Sequence, residues 1–140
     1  MRNCKRVSRL VTRTPFERKE RTWANKFKNA FVGLWSILRR QSSYHVHFVA
    51  AIFVIVAAFL IGNFDTVRWS IIVICIALVL TTEMLNTSIE SLAKAITTNY
   101  DPKIGLALDI SSGAVLFVSF GAAVVGIILF TESILKLLDQ

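Results

Sequence analysis

Three apolar stretches dominate this chain, at about 46–62, 67–97 and 104–130, and they constrain its fold more than anything else in it. Each is near or above the roughly 20 residues that a helix needs to cross about 30 Å of hydrocarbon, once its flanks are counted. The first is the shortest. Gly62-Asn63-Phe64-Asp65-Thr66 separates the first two spans as a short turn. Thr98-Asn99-Tyr100-Asp101-Pro102-Lys103 separates the second from the third, where Pro102 disfavours helix at the residue before it. With 54% hydrophobic residues in 140, the chain reads as a single all-α membrane domain over 23–135, behind a basic flexible tail at 1–22. A soluble globule is excluded.

The charge is as unevenly placed as the apolar surface. The formal net charge is +7, and twelve of the sixteen Lys and Arg residues, Arg2 through Arg40, precede the first span. Arg68 alone accompanies the first short loop, whereas Lys94 and Lys103 flank the second. The positive-inside rule then puts the N-terminus and the second loop in the cytoplasm of a multi-pass protein, and the C-terminus outside. No apolar signal region follows the N-terminal charges at the expected distance, so the tail reads as uncleaved. Between it and the first span, Trp23, Phe27, Phe31, Leu34, Trp35 and Leu38 recur at helical spacing among Lys26, Lys28 and Arg39. This predicts an amphipathic helix over about 23–40, with aromatic rings at the headgroups and cations beside anionic membrane lipids. A basic tail attached to three membrane spans argues for no nucleic-acid partner. Cys4 in the charged tail and Cys75 in an apolar helix lie in such different surroundings that no disulfide is expected.

The second span ends in Thr82-Glu83-Met84-Leu85-Asn86-Thr87-Ser88-Ile89-Glu90-Ser91-Leu92-Ala93. An ionisable group at membrane depth costs about 3 kcal/mol or more without a partner, so it points to function. Glu83, Asn86 and Glu90 stand at i, i+3 and i+7, which gathers them on one stripe of a helix. On the residues alone, such a cluster at the cytoplasmic edge of a bundle serves phosphoryl transfer or ion and proton movement equally well. The chain has neither the Gly-rich Walker loop nor the motifs of soluble kinases.

The pattern Glu-x-x-Asn-Thr-x-x-Glu, continued through Pro102 and Asp109 to Gly113-Ala114-Val115, resembles the small prokaryotic integral-membrane lipid kinases, the diacylglycerol kinase and undecaprenol kinase family. The resemblance reaches more loosely back to Phe27 and forward to about residue 130. It implies an enzyme of the bacterial inner membrane, a homotrimer that builds each site between protomers. Its reaction would be ATP-dependent phosphorylation of a lipid alcohol with Mg2+ as cofactor. Glu83 would be the general base that takes the proton from the lipid hydroxyl, and Glu90 the carboxylate that binds Mg2+. Asn86 would orient the nucleotide phosphates, Asn99, Tyr100 and Asp101 would contact the nucleotide, and Asp109 would close the site from the third span. Without the resemblance, Asp109 reads as a helix N-terminal charge that favours the dipole. Ser111, Ser112, Gly113 and Ala114 read as a small-residue stripe for close helix packing, and the resemblance places Ser112 beside the lipid substrate.

Two positions depart from the family pattern. Reading back without a gap from His47, Gln41 stands where the family has a second metal-binding glutamate, and it offers Mg2+ an oxygen without charge. Leu108 stands where the family has a lysine immediately before the helix-three aspartate. Around the loop, Asn99, Tyr100 and Asp101 replace the more usual acidic residue or lysine and histidines. The Tyr44-x-x-His47 pattern is nearer the undecaprenol-kinase branch. Gln41 and Leu108 favour one alternative, a catalytically degenerate member acting as a lipid-binding or regulatory protein. A channel or carrier is a second, although Ile71 to Leu80 has no charged residue to continue an ion path.

Overall fold

The computed structural model describes residues 22–40, 42–62 and 64–138, all in helices or the short connections between them. Gln41, the basic tail up to 21, and Cys4 with it lie outside the described residues. Four helices follow in order, α1 (Trp23–Arg40), α2 (Ser42–Ile61), α3 (Thr66–Ile96) and α4 (Pro102–Leu138). The last three are each long and apolar enough to cross a membrane. The third apolar run does not stop near 130 but carries its helix on to Leu138.

The chain divides into two compact units, the first ending at Leu34. Its described part is the beginning of α1, where the Thr22 hydroxyl accepts from Asn25 N at 3.4 Å and Lys26 lies over the Trp23 ring at 4.3 Å. Trp23, Phe27 and Phe31 are all exposed, spaced four apart on one stripe.

The second unit, from Trp35, is a bundle of α2, α3 and α4, in which α3 and α4 make the most extensive contact. Each connection has a local cause. α2 ends where Gly62 takes φ +69°, a left-handed conformation that glycine adopts without a Cβ penalty, and its N–H bonds Ala58 O at 3.2 Å. Asp65 then caps α3, its carboxylate accepting from Arg68 N at 2.8 Å. At the far end of α3, Asp101 caps α4 in the same way, accepting from Lys103 N at 2.8 Å and Ile104 N at 3.3 Å.

Burial in this unit is the reverse of a soluble protein's. Among the described residues the buried hydrophobics are Tyr44, Ala58, Ile72 and Leu129, and the buried polar or charged residues are Arg68, Glu83, Asn86, Ser111 and Ser133. Phe53, Leu60, Leu116 and Phe117 meanwhile stand fully out from the helices. In water such a surface would drive aggregation; in lipid the apolar outside is solvated by acyl chains and only the polar groups gain from being turned inward. The chain is a multi-pass membrane protein.

The two ends of the bundle are held differently. At the α2–α3 turn, Ala58, Ile72 and Leu129 form a core surrounded by Phe64, Trp69 and Phe130. The Phe59 and Trp69 rings meet at 4.6 Å, and Phe64 and Phe130 at 5.3 Å. Arg68 closes this end, donating to Ser133 Oγ at 3.1 Å and pairing with Glu132 at 3.2 Å. Toward the α3–α4 loop the buried apolar core does not continue among the described residues, and hydrogen bonds from Ser111 and Ser112 to Asn86 join α4 to α3.

Candidate active site

The length of α3 sets the depth of the acidic stripe. From Thr66, roughly 20 residues at about 1.5 Å each cross the hydrocarbon, which brings the helix to the neighbourhood of Leu85. Glu83 therefore stands at the margin of the apolar layer, and Glu90 lies two turns beyond it toward the loop. Glu83 is 2% exposed, and its Oε1 is buried with no hydrogen-bond partner. A buried acceptor left without a donor is uncommon and asks for an explanation.

Asn86 links the two helices and holds the Glu90 end of the stripe. Its Oδ1 accepts from the Ser111 hydroxyl of α4 at 2.6 Å, with the Ser112 hydroxyl at 3.5 Å, the outer limit of a hydrogen bond. Its Nδ2 donates to Glu90 Oε1 at 3.3 Å. The amide is thus fixed in one orientation, oxygen to α4 and nitrogen to the carboxylate. Ser111 Oγ is also 2.9 Å from Leu108 O, so one proton serves two acceptors.

Glu90 is half-buried, and its second oxygen pairs loosely with Lys94 at 3.7 Å. Both contacts on this carboxylate are long, which leaves lone pairs available to a hard cation that arrives with waters and phosphate oxygens of its own. Glu90 fits Mg2+ carried on a nucleotide, whereas the Asn86 amide turns its nitrogen toward Glu90 and its oxygen to α4, and so orients the carboxylate without ligating the cation. Glu90 stands in no all-protein cage, because no three His, Cys, Asp or Glu side chains converge among the described residues. Gln41, the other expected ligand, lies outside the described residues.

The remaining expected residues are not gathered here within one protomer. Asp109 is exposed and makes no hydrogen bond or ion pair among the described residues. Two positions before Ser111 is about 200° around the helix, so Asp109 faces away from α3 while Ser111 faces it. Asn99, Tyr100 and Asp101 are exposed in the loop, where Asn99 N bonds Thr97 Oγ1 at 3.0 Å, the Tyr100 ring lies over Gly105, and the Asp101 carboxylate is occupied as a helix cap. The small-residue stripe also behaves differently from close packing: Ser111 is buried, but a Cβ built at Gly113 would meet nothing within 4 Å. Ser111 and Thr87 are the polar groups beside the stripe that the spacing of the motif left unassigned. Thr87 could have been found, since it lies four residues from Glu83 on the same face.

An apolar cavity of about 500 Å³ opens between α2, α3 and α4 on the turn side of this cluster. Its walls include Ala51, Ala57, Ala122, Ala123 and Gly126, small enough side chains to leave the space. Val79 and Leu80, one turn before Glu83 on α3, belong to the same wall.

A helical membrane bundle with a buried, unpartnered carboxylate, an amide-bridged second carboxylate and an apolar cavity beside them defines an integral-membrane protein with a site facing both lipid and a polar edge. The comparison with known proteins is specific. The family model for prokaryotic diacylglycerol kinase matches residues 28–130, a stretch that includes the whole of the acidic stripe and Ser111. Undecaprenol kinase of Bacillus subtilis strain 168 is 30% identical over 110 residues, covering 76% of this chain and 89% of that protein. The chain belongs to the prokaryotic diacylglycerol kinase family.

Proposed function

We propose that this protein is an ATP- and Mg2+-dependent lipid kinase that phosphorylates the hydroxyl of a membrane lipid alcohol. The observation that carries this reading is Glu83, a buried carboxylate whose Oε1 has no partner, at the junction of an apolar cavity and the Asn86–Glu90 pair. The lipid alcohol reaches Glu83 from the cavity side, and the nucleotide reaches Glu90 from the polar end. Glu83 accepts the hydroxyl proton as the lipid oxygen bonds to the γ-phosphorus and the bond from that phosphorus to the β,γ-bridging oxygen breaks, leaving ADP. Mg2+ supplies charge neutralisation on the phosphates when bound. Asn86, held by Ser111 and Glu90, keeps the carboxylate and the phosphates in register, which is positioning rather than covalent work. The undecaprenol kinase name of the relative and the Tyr44-x-x-His47 pattern favour a polyprenol over a diacylglycerol as acceptor.

Location and assembly belong to the same reading. The protein lies in the bacterial inner membrane with its N-terminus and the α3–α4 loop in the cytoplasm, where ATP is, following the twelve cations before the first span. The exposed Trp23, Phe27 and Phe31 lie in the headgroup layer as a surface helix. Asp109, turned outward from its own protomer, faces a neighbouring copy in a homotrimer.

The test is transfer of labelled phosphate from ATP to lipid by the purified protein in mixed micelles, with undecaprenol and diacylglycerol offered in parallel. Product with either lipid supports the kinase. Lipid binding without product supports the degenerate member suggested by Leu108 and Gln41.

A further inference from the structure

Four hydroxyl side chains along α3 satisfy themselves in the same way. Ser70, Thr82, Ser88 and Ser91 each donate to the carbonyl four residues back, at 2.8 to 2.9 Å. That bond is the ordinary refuge of Ser and Thr inside a helix. Thr87 does not take it: its Oγ1 is buried with no partner. Four residues away, the buried Glu83 Oε1 has none either.

Positions four apart on a helix are neighbours, with Cβ atoms about 5–6 Å apart. Two polar groups on one stripe are therefore left open side by side, and they are complementary. A threonine hydroxyl can donate; a carboxylate oxygen can only accept. One oxygen carrying one hydrogen, set between them, satisfies both by accepting from Thr87 and donating to Glu83. That description fits an alcohol. It fits neither a phosphate, which Glu83 repels, nor a hydrocarbon, which satisfies neither group.

We propose that Thr87 binds the acceptor alcohol, holding its oxygen by a hydrogen bond from Oγ1 so that the hydroxyl hydrogen points at Glu83. The inference rests on the lipid-kinase reading and deepens it: the acceptor is recognised as a neutral hydroxyl by a donor and acceptor pair on a single helix turn. An alcohol oxygen that accepts once from Thr87 keeps its second lone pair free to meet phosphorus. Thr87 therefore acts on the lipid and not on the nucleotide.

Thr87→Val keeps the branched shape and removes the hydroxyl; Thr87→Ser keeps the hydroxyl. In the mixed-micelle assay with undecaprenol and with dioleoylglycerol, Thr87→Val is expected to lower kcat/KM for the better lipid about tenfold, the usual effect of losing one hydrogen bond. KM for ATP and the Mg2+ dependence should stay at wild-type values, and Thr87→Ser should recover most of the loss. The thermal midpoint of Thr87→Val should equal or exceed the wild type's, because a buried hydroxyl without a partner is replaced by a methyl group. Thr87→Ala serves as a second loss variant if the valine form does not fold. Wild-type kcat/KM for lipid in a folded Thr87→Val or Thr87→Ala sample overturns the assignment, as does a Thr87→Ser as poor as the valine form, which would make the role one of packing. If the wild type phosphorylates neither lipid, the kinase reading falls and takes this one with it; an active wild type with an indifferent Thr87 removes this one alone.

Discussion

Replacing Glu83 by glutamine separates proton acceptance from every other property of the side chain. Glutamine has nearly the same volume and remains polar, and Glu83 Oε1 has no hydrogen bond to lose. The fold therefore keeps its contacts around position 83: Asn86 still bonds Ser111 at 2.6 Å and Glu90 at 3.3 Å, and the core near the α2–α3 turn lies several helix turns away. What disappears is the group proposed to take the lipid hydroxyl proton. Loss of a positioned general base slows a reaction on the order of 100-fold or more, and at 1.36 kcal/mol per tenfold that is about 2.7 kcal/mol of transition-state stabilisation. The expected result for Glu83→Gln is labelled-phosphate transfer at or below about a hundredth of the wild-type rate, with an unchanged thermal midpoint and an unchanged elution volume in size exclusion. Near-wild-type turnover by a folded Glu83→Gln sample would refute the base assignment and with it the meaning given to the orphaned oxygen.

Three further outcomes follow from separate parts of the bundle. Glu90→Gln should raise the Mg2+ concentration for half-maximal rate, since the half-buried carboxylate is the anion nearest the Asn86 amide; an unchanged Mg2+ titration would move the metal to another residue. Ser111→Ala leaves Asn86 Oδ1 with only the 3.5 Å contact to Ser112, so it should cost about 1–3 kcal/mol of stability in thermal unfolding and lower activity together, and a variant that changes neither would deny Ser111 its bridging role. Arg68→Met breaks the contacts to Glu132 and Ser133 at the opposite end, so it should lower the thermal midpoint while kcat of the folded protein stays put; a fall in kcat at low temperature would contradict that separation.

The helices were readable because lipid allows few other answers to long apolar runs, and the stripe of Glu83, Asn86 and Glu90 because helical spacing is arithmetic. What the sequence hid lies across helices. Ser111 and Ser112 are adjacent, yet only Ser111 makes a short bond to Asn86, a difference fixed by the rotation of α4 against α3. Asp109 is two residues from that bond and faces away from it. The third apolar run ends near 130, but the helix continues through Thr131-Glu132-Ser133, where Arg68, far away in sequence, takes up the Glu132 and Ser133 side chains. Local pattern carries no information about such partners until the packing is known.

Fastening α3 to α4 by an aromatic cluster and an ion pair at one end, and by a serine–asparagine contact at the other, makes the pair behave like tongs with the pivot at Arg68. Apolar surface and paired charge resist separation at the pivot, whereas at the jaws the side-chain hydrogen bonds joining the two helices among the described residues are those of Ser111 and Ser112 to Asn86. Opening thus follows a gradient along the helices, and amides near the α3–α4 loop are expected to exchange with deuterium before those near the pivot. The apolar cavity shares Ile72, Leu129 and Phe130 with the anchored core, so a lipid tail proposed to occupy it would rest against the part of the bundle that opens last.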